Sequence, residues 1–240
     1  MEIIIAISQW IKDQVEQVGA QGIVVGLSGG IDSAVVAALA KRTLPDKVLG
    51  LILPCHSQKQ DAEDARLIAS HLQLETTTID LSPTYDSLTT ILPPADKNIT
   101  ANLKPRLRMI TLYYFASLKN YLVAGTSNKS EISVGYFTKY GDGGADILPL
   151  GDLLKFQVIE MAKKLALPNA IITKPPSAGL LPGQTDEGEL KITYEQLDQV
   201  ILGVTSSRDK KTSPEIRSRV EALIKNSEHK RIPIPTFKNH

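Results

Sequence analysis

Residues 26–33 read Gly-Leu-Ser-Gly-Gly-Ile-Asp-Ser. Two adjacent glycines, Gly29 and Gly30, let a backbone curl without Cβ clashes, so that its N–H groups converge on one anionic group. Ser28 and Ser33 add hydroxyl donors. Asp32 would repel a bare phosphate, and a carboxylate there makes chemical sense as a ligand for Mg2+ carried by a nucleotide. The apolar run 22–25 before the turn reads as a buried strand, and Ala34–Ala40 after it as a helix. Strand, glycine turn and helix is the arrangement that aims a helix N-terminus at phosphate. The plainer alternative makes Asp32 or Ser33 a helix N-cap and the glycines an ordinary turn. No Lys-Ser/Thr follows the glycines and the GxGxxG spacing is missing, so the turn is neither a Walker A loop nor a dinucleotide-binding turn.

The elements that must position this turn follow from periodicity. Strands are predicted at 22–27, 48–53, 75–80 and 121–124, and helices at 2–18, 32–43, 60–72, 103–119 and 152–166. Short helices follow at 193–202 and 213–226, then a basic, proline-broken tail. The helix at 2–18 should bury Ile3, Ile7, Trp10, Ile11, Val15 and Val18. The helix at 60–72 should bury Ala62, Ala65, Leu67, Ile68 and Leu72. Residues 82–100, with three prolines, read as a loop or lid, and 125–151 and 173–191 as long loops. Strands alternating with helices predict an α/β fold: a Rossmann-like parallel sheet flanked by helices, with ligands beyond the carboxyl ends of its strands.

Composition narrows the function classes. The chain has 240 residues, 42% of them hydrophobic and 22% charged, which suits a single domain over 1–240. A formal charge of +1 gives no global field to recruit nucleic acid or membrane. The one cysteine, Cys55, excludes an intrachain disulfide and any CxxC site. No apolar run reaches membrane-spanning length. The first residues carry Glu2, Asp13 and Glu16 and lack a basic region, so no signal peptide is expected and the cytoplasm is the expected compartment.

The hexapeptide Ser28–Ser33 resembles the SGGxDS signature of the pyrophosphate-loop ATP pyrophosphatases, whose members cleave ATP between its α- and β-phosphates. Further segments narrow the resemblance: Gly-Thr-Ser-Asn-Lys-Ser-Glu at 125–131, the glycine-rich run 135–153, Pro-Ser-Ala-Gly-Leu-Leu-Pro-Gly-Gln-Thr-Asp-Glu at 176–187, and Glu-His-Lys-Arg at 228–231. Together they look like the NAD synthetase family, of ammonia-dependent type, from about residue 20 to residue 232. That resemblance implies an adenine nucleotide alpha hydrolase-like sheet. It also implies a ligase that joins ammonia to the nicotinate carboxylate of deamido-NAD through an adenylated intermediate, giving NAD+, AMP and pyrophosphate.

Carried over residue by residue, the resemblance places ATP on Gly26, Leu27, Ser28, Gly29, Gly30, Ile31, Asp32, Ser33, Thr126, Lys155 and Ser177. It assigns Mg2+ to Asp32 and Glu131, and deamido-NAD to Arg106, Lys139, Asp146, His229 and Lys230. Asp32, Glu131 and Lys155 become the catalytic set. Each has a plainer reading from its residue type alone. Thr126 could be a strand-end hydroxyl, Glu131 a helix-start acid, Lys155 a solvated lysine and Ser177 a loop serine. Arg106 could lie on a solvated helix face or in an intersubunit ion pair, and His229 and Lys230 in a disordered basic end. A lysine in a helix's first turn is disfavoured by the helix dipole, which mildly favours a functional Lys155. The adenine is expected near Leu51–Leu53, with Gln58 or Gln60 as alternative partners. Cys55-His56 departs from the family pattern, and His56 reads as an ordinary loop histidine. The family is typically homodimeric. The apolar helix with Leu107, Met109, Ile110, Leu112, Tyr113, Tyr114 and Phe115 fits either a core or a dimer interface. The chain has no room for a glutaminase domain, so free ammonia, or ammonia from a separate partner, is the expected nitrogen source. Two alternatives remain open: a tRNA-modifying ligase with the same loop, which would carry a basic face, and a nucleotide sensor that has lost catalysis.

Overall fold

Val48–Ile52 and Gly22–Gly26 consist of aliphatic residues and glycine, the composition of strands covered on both faces. The computed structural model describes residues 1–181, 183–206 and 212–238. Pro182 of the 176–187 segment and the last two residues of the tail lie outside the described residues. Among the described residues, β1 (Gly22–Gly26), β2 (Val48–Ile52), β3 (Glu75–Thr78) and β4 (Tyr121–Ala124) form one parallel sheet in the order β3-β2-β1-β4. Val25 lies beside Gly50 on one side and Ala124 on the other. The strand order therefore reverses between β1 and β4, the switch point at which such sheets open a crevice beyond their carboxyl ends.

The helices are α1 (Glu2–Gln17), α2 (Ile31–Thr43), α3 (Lys59–Leu72), α4 (Ser82–Ile91), α5 (Lys97–Ala101), α6 (Leu103–Lys119), α7 (Lys129–Val134), α8 (Lys155–Lys164), α9 (Asn169–Ile172), α10 (Asp186–Leu190), α11 (Tyr194–Ser206) and α12 (Pro214–Asn226). A 3-10 turn at Glu228–Lys230 follows. Alternation along the strands divides the core. Ile23, Val25 and Ile52 face a cluster with α1, α2, α3, α8 and α9, whereas Val24, Leu49 and Leu51 face one with Leu81 and α6. A third cluster joins Val134, Leu154, Leu190, Leu197, Val200 and Val220, and so packs α7, α10, α11 and α12 together.

α2 is apolar all round because it is covered all round, by the sheet within and α1 without. α1 buries Ile4, Ser8, Ile11 and Val15, while Ile3, Trp10 and Val18 of the expected stripe are exposed. Apolar residues on both flanks of this helix left the periodicity ambiguous by one position. In α3, Asp64, Ala65, Ile68 and Ala69 turn inward and Leu67 is exposed.

Residues 82–100 are not the predicted loop, since they hold α4 and α5. Pro83 sits in the first turn of α4, where a proline removes no helical hydrogen bond, and Pro93 and Pro94 follow its end. The long loops also carry short helices, α7 in 125–151 and α10 in 173–191. No helix among the described residues is long and apolar enough to cross a membrane.

Candidate active site

Gly29 has φ +78°, and a Cβ built on it would stand 2.5 Å from the Asp61 carbonyl oxygen and 2.9 Å from Asp64 Cβ. Conformation and space thus both demand glycine at the head of the turn. The turn braces itself. Gly30 N–H donates to Ser28 Oγ at 3.2 Å, Ser28 N–H to Ser33 Oγ at 3.3 Å, and Ser33 Oγ–H to the Gly30 carbonyl at 2.9 Å. Gly30 itself is the N-cap of α2, and among the described residues no side chain caps that helix, so neither Asp32 nor Ser33 plays the capping role. The uncapped first turn of α2 borders a cleft of about 510 Å³ at the switch point between β1 and β4. An uncapped helix start in a cleft is an anion site.

Three charged residues from distant parts of the chain meet beside this turn. Lys155, buried at the first position of α8, places Nζ 2.5 Å from Asp32 Oδ2 and 3.6 Å from Glu131 Oε1. Asn128 Nδ2 donates to Asp32 Oδ1 at 2.9 Å. Asn128 and Glu131 form the capping box of α7: Glu131 N–H donates to Asn128 Oδ1 at 3.0 Å, and Asn128 N–H to Glu131 Oε2 at 3.2 Å. One oxygen of Glu131 is thereby spent on the helix, and the other faces the lysine. The Tyr194 hydroxyl lies 2.9 Å from Asp186 Oδ2 and 3.3 Å from Glu131 Oε1, and Lys155 Nζ stands 5.0 Å from the centre of its ring.

The electrostatics follow from burial. Burial, and then the neighbouring Asp32 carboxylate, push the Glu131 carboxyl up to about 8. Burial works against the Lys155 ammonium, but Asp32 and Glu131 together outweigh it and raise its affinity for the proton. Burial raises the Asp186 carboxyl as well, and one of its oxygens, Oδ1, is fully shielded and has no hydrogen-bond partner among the described residues.

The loop that closes the cleft is held at two points. Lys174 Nζ pairs with Asp61 at 2.9 Å and Asp64 at 2.6 Å, on the α3 segment that packs against Gly29. Lys104 Nζ, from α6, donates to the Leu180 carbonyl at 2.8 Å. Ser177 borders the cleft while bracing this loop, donating to the Gln184 carbonyl and accepting from Gly179 N–H.

The NAD synthase family profile matches residues 3–234. The chain belongs to the NAD synthase family. The NH(3)-dependent NAD(+) synthetase of Carboxydothermus hydrogenoformans is 49% identical over 230 residues, which cover 93% of this chain and 92% of that protein. The solved structure of an NMN synthetase from Francisella tularensis superposes with a TM-score of 0.93 at 41% identity, covering 99% of this chain and 98% of that one. An NH3-dependent NAD synthetase from Campylobacter jejuni superposes with a TM-score of 0.87 at 30% identity and the same coverage.

In this NAD synthase family member, most of the predicted nucleotide residues share the one cleft. Gly26, Leu27, Ser28, Gly30, Ile31, Asp32, Ser33, Thr126, Glu131, Lys155 and Ser177 all border it, as does Lys230. Leu51–Leu53 border it too, but Gln58 and Gln60 do not; Gln58 precedes α3 and Gln60 bonds Asp64. The other acceptor residues stand outside. Arg106 Nη2 reaches the Lys139 carbonyl at 3.4 Å, and Lys139 Nζ donates to the His229 carbonyl at 2.7 Å, so these three form a chain along the rim. Asp146 stands apart, accepting from the Val123 N–H at 2.8 Å and from the Tyr113 hydroxyl at 2.9 Å.

The tail is ordered onto α7. Lys230 Nζ donates to the Gly135 and Phe137 carbonyls, each at 2.8 Å. Gly135 makes this approach possible, because a Cβ there would stand 2.2 Å from that of Ser227. Sequence reasoning passed over Asn128, Lys174, Asp186, Tyr194 and Arg108. Arg108 lies at the β2 end of the cleft, with Nε donating to the Leu53 carbonyl at 3.0 Å. Asn128-x-x-Glu131 was legible as a capping box, and Tyr194 carried no motif signal at all.

Proposed function

We propose that this chain is an ammonia-dependent NAD+ synthetase, which uses ATP to amidate the nicotinate carboxylate of deamido-NAD and yields NAD+, AMP and pyrophosphate. The observation that carries the reading is the meeting of Asp32, Glu131 and Lys155 at the head of the glycine turn, in a chain of this family. Chemistry requires such a centre. A carboxylate offers ammonia no usable leaving group, so its oxygen must first attack the α-phosphorus of ATP, with pyrophosphate departing. Ammonia then displaces AMP from the acyl carbon.

Both partners of the first step are anions, and the chain's residues bring them together. The glycine turn and the α2 N-terminus take the phosphate oxygens through N–H groups, with Ser28 and Ser33 as hydroxyl donors. Lys155 contributes a fixed cation, exchanging its carboxylate partners for phosphate. Arg106, Lys139, His229 and Lys230 hold the acceptor at the rim, Asp146 accepts from one of its hydroxyls, and Thr126 and Ser177 contact the nucleotide.

Asp32 and Glu131 would hold Mg2+. Both are hard oxygen donors, and both already contact a single cation, the Lys155 ammonium. No cluster of three or more acidic, histidine or cysteine side chains suited to a metal occurs among the described residues. Mg2+ commonly takes only one or two carboxylates from a protein and the rest of its ligands from substrate phosphates and water. When bound, Mg2+ neutralises charge that builds on the phosphate oxygens.

The unit that does this is the chain as one domain, working as a homodimer in the cytoplasm. Its dimer face is the outer side of α6, where Ile110, Tyr114 and Leu118 recur one turn apart at 60%, 63% and 65% exposure. Leu107, Leu112, Tyr113 and Phe115 pack inward from the same helix, which serves both core and surface.

A second reading is favoured by the likeness to an NMN synthetase: the acceptor would be the mononucleotide, and the product NMN. One assay separates the readings. The protein is incubated with ATP, Mg2+ and ammonium, and with either deamido-NAD or its mononucleotide counterpart. Stoichiometric AMP and NAD+, with kcat/KM higher for the dinucleotide, is the expected result. A preference for the mononucleotide replaces the substrate, and ATP cleavage without any amide product overturns the ligase.

A further inference from the structure

Asp198 lies on α11 at 3% exposure, one helical turn beyond Tyr194. Its carboxylate is bonded to two other elements at once. Oδ1 accepts a short hydrogen bond from the Ser130 hydroxyl, on α7, and Oδ2 accepts from Phe156 N–H, on α8, at 3.1 Å. Ser130 Oγ in turn accepts from Lys155 N–H at 2.9 Å. Ser130 is the chain neighbour of Glu131, and Lys155 opens α8. One buried carboxylate thus ties together the backbone positions from which both charged residues reach the cleft.

The arrangement also resolves an electrostatic misfit. A lysine at the first position of a helix faces the positive end of the dipole, and α8 has no acidic residue in its own first turn. Asp198 supplies that anion from α11. If α11 needed only to fill the third core, an apolar residue would do so without the cost of burying a carboxylate.

We propose that Asp198 is a positioning residue: through Ser130 and the head of α8 it sets the direction in which Lys155 and Glu131 face the triphosphate. The inference rests on the reading above, that these two residues act on ATP.

The test compares wild type with Asp198→Asn, Ser130→Ala and Leu197→Ala. Leu197 is 1% exposed in the same core and serves as a control for lost packing alone. Melting temperature, ATP affinity by calorimetry without acceptor, and kcat and KM for amide formation are measured for each. Asp198→Asn and Ser130→Ala should each lower kcat about 10–100-fold, as loss of a residue supporting a site ligand typically does. Both should also weaken ATP binding, with KM for ammonium unchanged. Leu197→Ala should melt at a lower temperature yet keep kcat within about twofold, because it removes no hydrogen bond or charge and a cavity alone costs stability rather than transition-state contacts. The proposal is overturned if Asp198→Asn or Ser130→Ala keeps wild-type kcat and ATP affinity. It is equally overturned if all three variants lose kcat in proportion to melting temperature. Should Asp198→Asn not fold, Ser130→Ala decides alone. A wild type that forms no amide counts against the proposed function, and the ATP affinities still judge the positioning.

Discussion

Lys155 and Lys230 both border the cleft, yet they are held in opposite ways. Lys155 is paired with the Asp32 carboxylate and stands 3.6 Å from the Glu131 carboxyl, while Lys230 rests on the carbonyls of Gly135 and Phe137. Its rim neighbours follow the same rule, Lys139 lying on the His229 carbonyl and Arg106 on those of Asn102 and Lys139. A cation paired with carboxylates is neutralised, and becomes available only when something displaces it. A cation on carbonyls keeps its full charge and projects it outward. The triphosphate end is thus built for exchange of partners, and the rim for attraction of an anionic acceptor. Burial lowers the proton affinity of Lys230 and outweighs the attraction of the Asp142 carboxylate.

The largest effect should come from breaking the exchanging end. Asp32→Asn removes the closest partner of Lys155 and one of the proposed metal ligands, while Asn128 and the Glu131 pair remain in place. Turnover should fall about 100–1000-fold, the loss typical when one group aimed at transition-state charge is removed. Steady-state release of AMP measures it, with the fold retained by circular dichroism. Turnover within tenfold of wild type would mean that Lys155, not the carboxylate, carries the chemistry at this end.

A smaller and different effect is expected at the rim. Lys230→Ala should raise KM for the dinucleotide acceptor about tenfold, or ~1.4 kcal/mol, with kcat little changed. The split between kcat and KM is the point of the measurement. If Lys230→Ala instead lowers kcat as Asp32→Asn does, the two regions act as one and the contrast between them fails.

The contrast also explains what was legible in the sequence. The glycine turn stood out because Gly29 has to be glycine on two counts, its positive φ and the closeness of Asp61. The α/β alternation was legible because β1 and β2 are apolar throughout and α2 is covered on all sides. The helices of 82–100 were not, because Pro83 marks a helix start as readily as a loop. At the site, Asp32 and Lys155 announced themselves by sitting where a carboxylate and a cation are unexpected. Their supports did not. Asn128 donates to Asp32 across 96 positions of sequence, and Ser130 bonds Asp198 across 68. Pairings at that range are fixed by tertiary packing, and neither residue type nor local spacing records them.

The smallest expected effect probes the exchanging end with no substrate present. Glu131 is pushed from its ordinary 4.5 up to about 8, first by burial and then by Asp32. The folded chain therefore holds a proton there that the unfolded chain has already released. Stability from this group is complete below pH 4.5 and is lost as the pH rises through about 8. Glu131→Gln carries a neutral amide at every pH and lacks that loss. In metal-free buffer the melting temperature of wild type should drop, relative to the variant, between about pH 4.5 and pH 8 and level off above, by about 2–4 °C for each kcal/mol involved. Differential scanning calorimetry of the two proteins across that range reads it directly. A wild type that instead runs parallel to the variant across that range would show Glu131 ionised throughout and Lys155 locked in a permanent triad. The exchange of partners inferred for this end of the cleft would then have to begin by breaking two ion pairs rather than one.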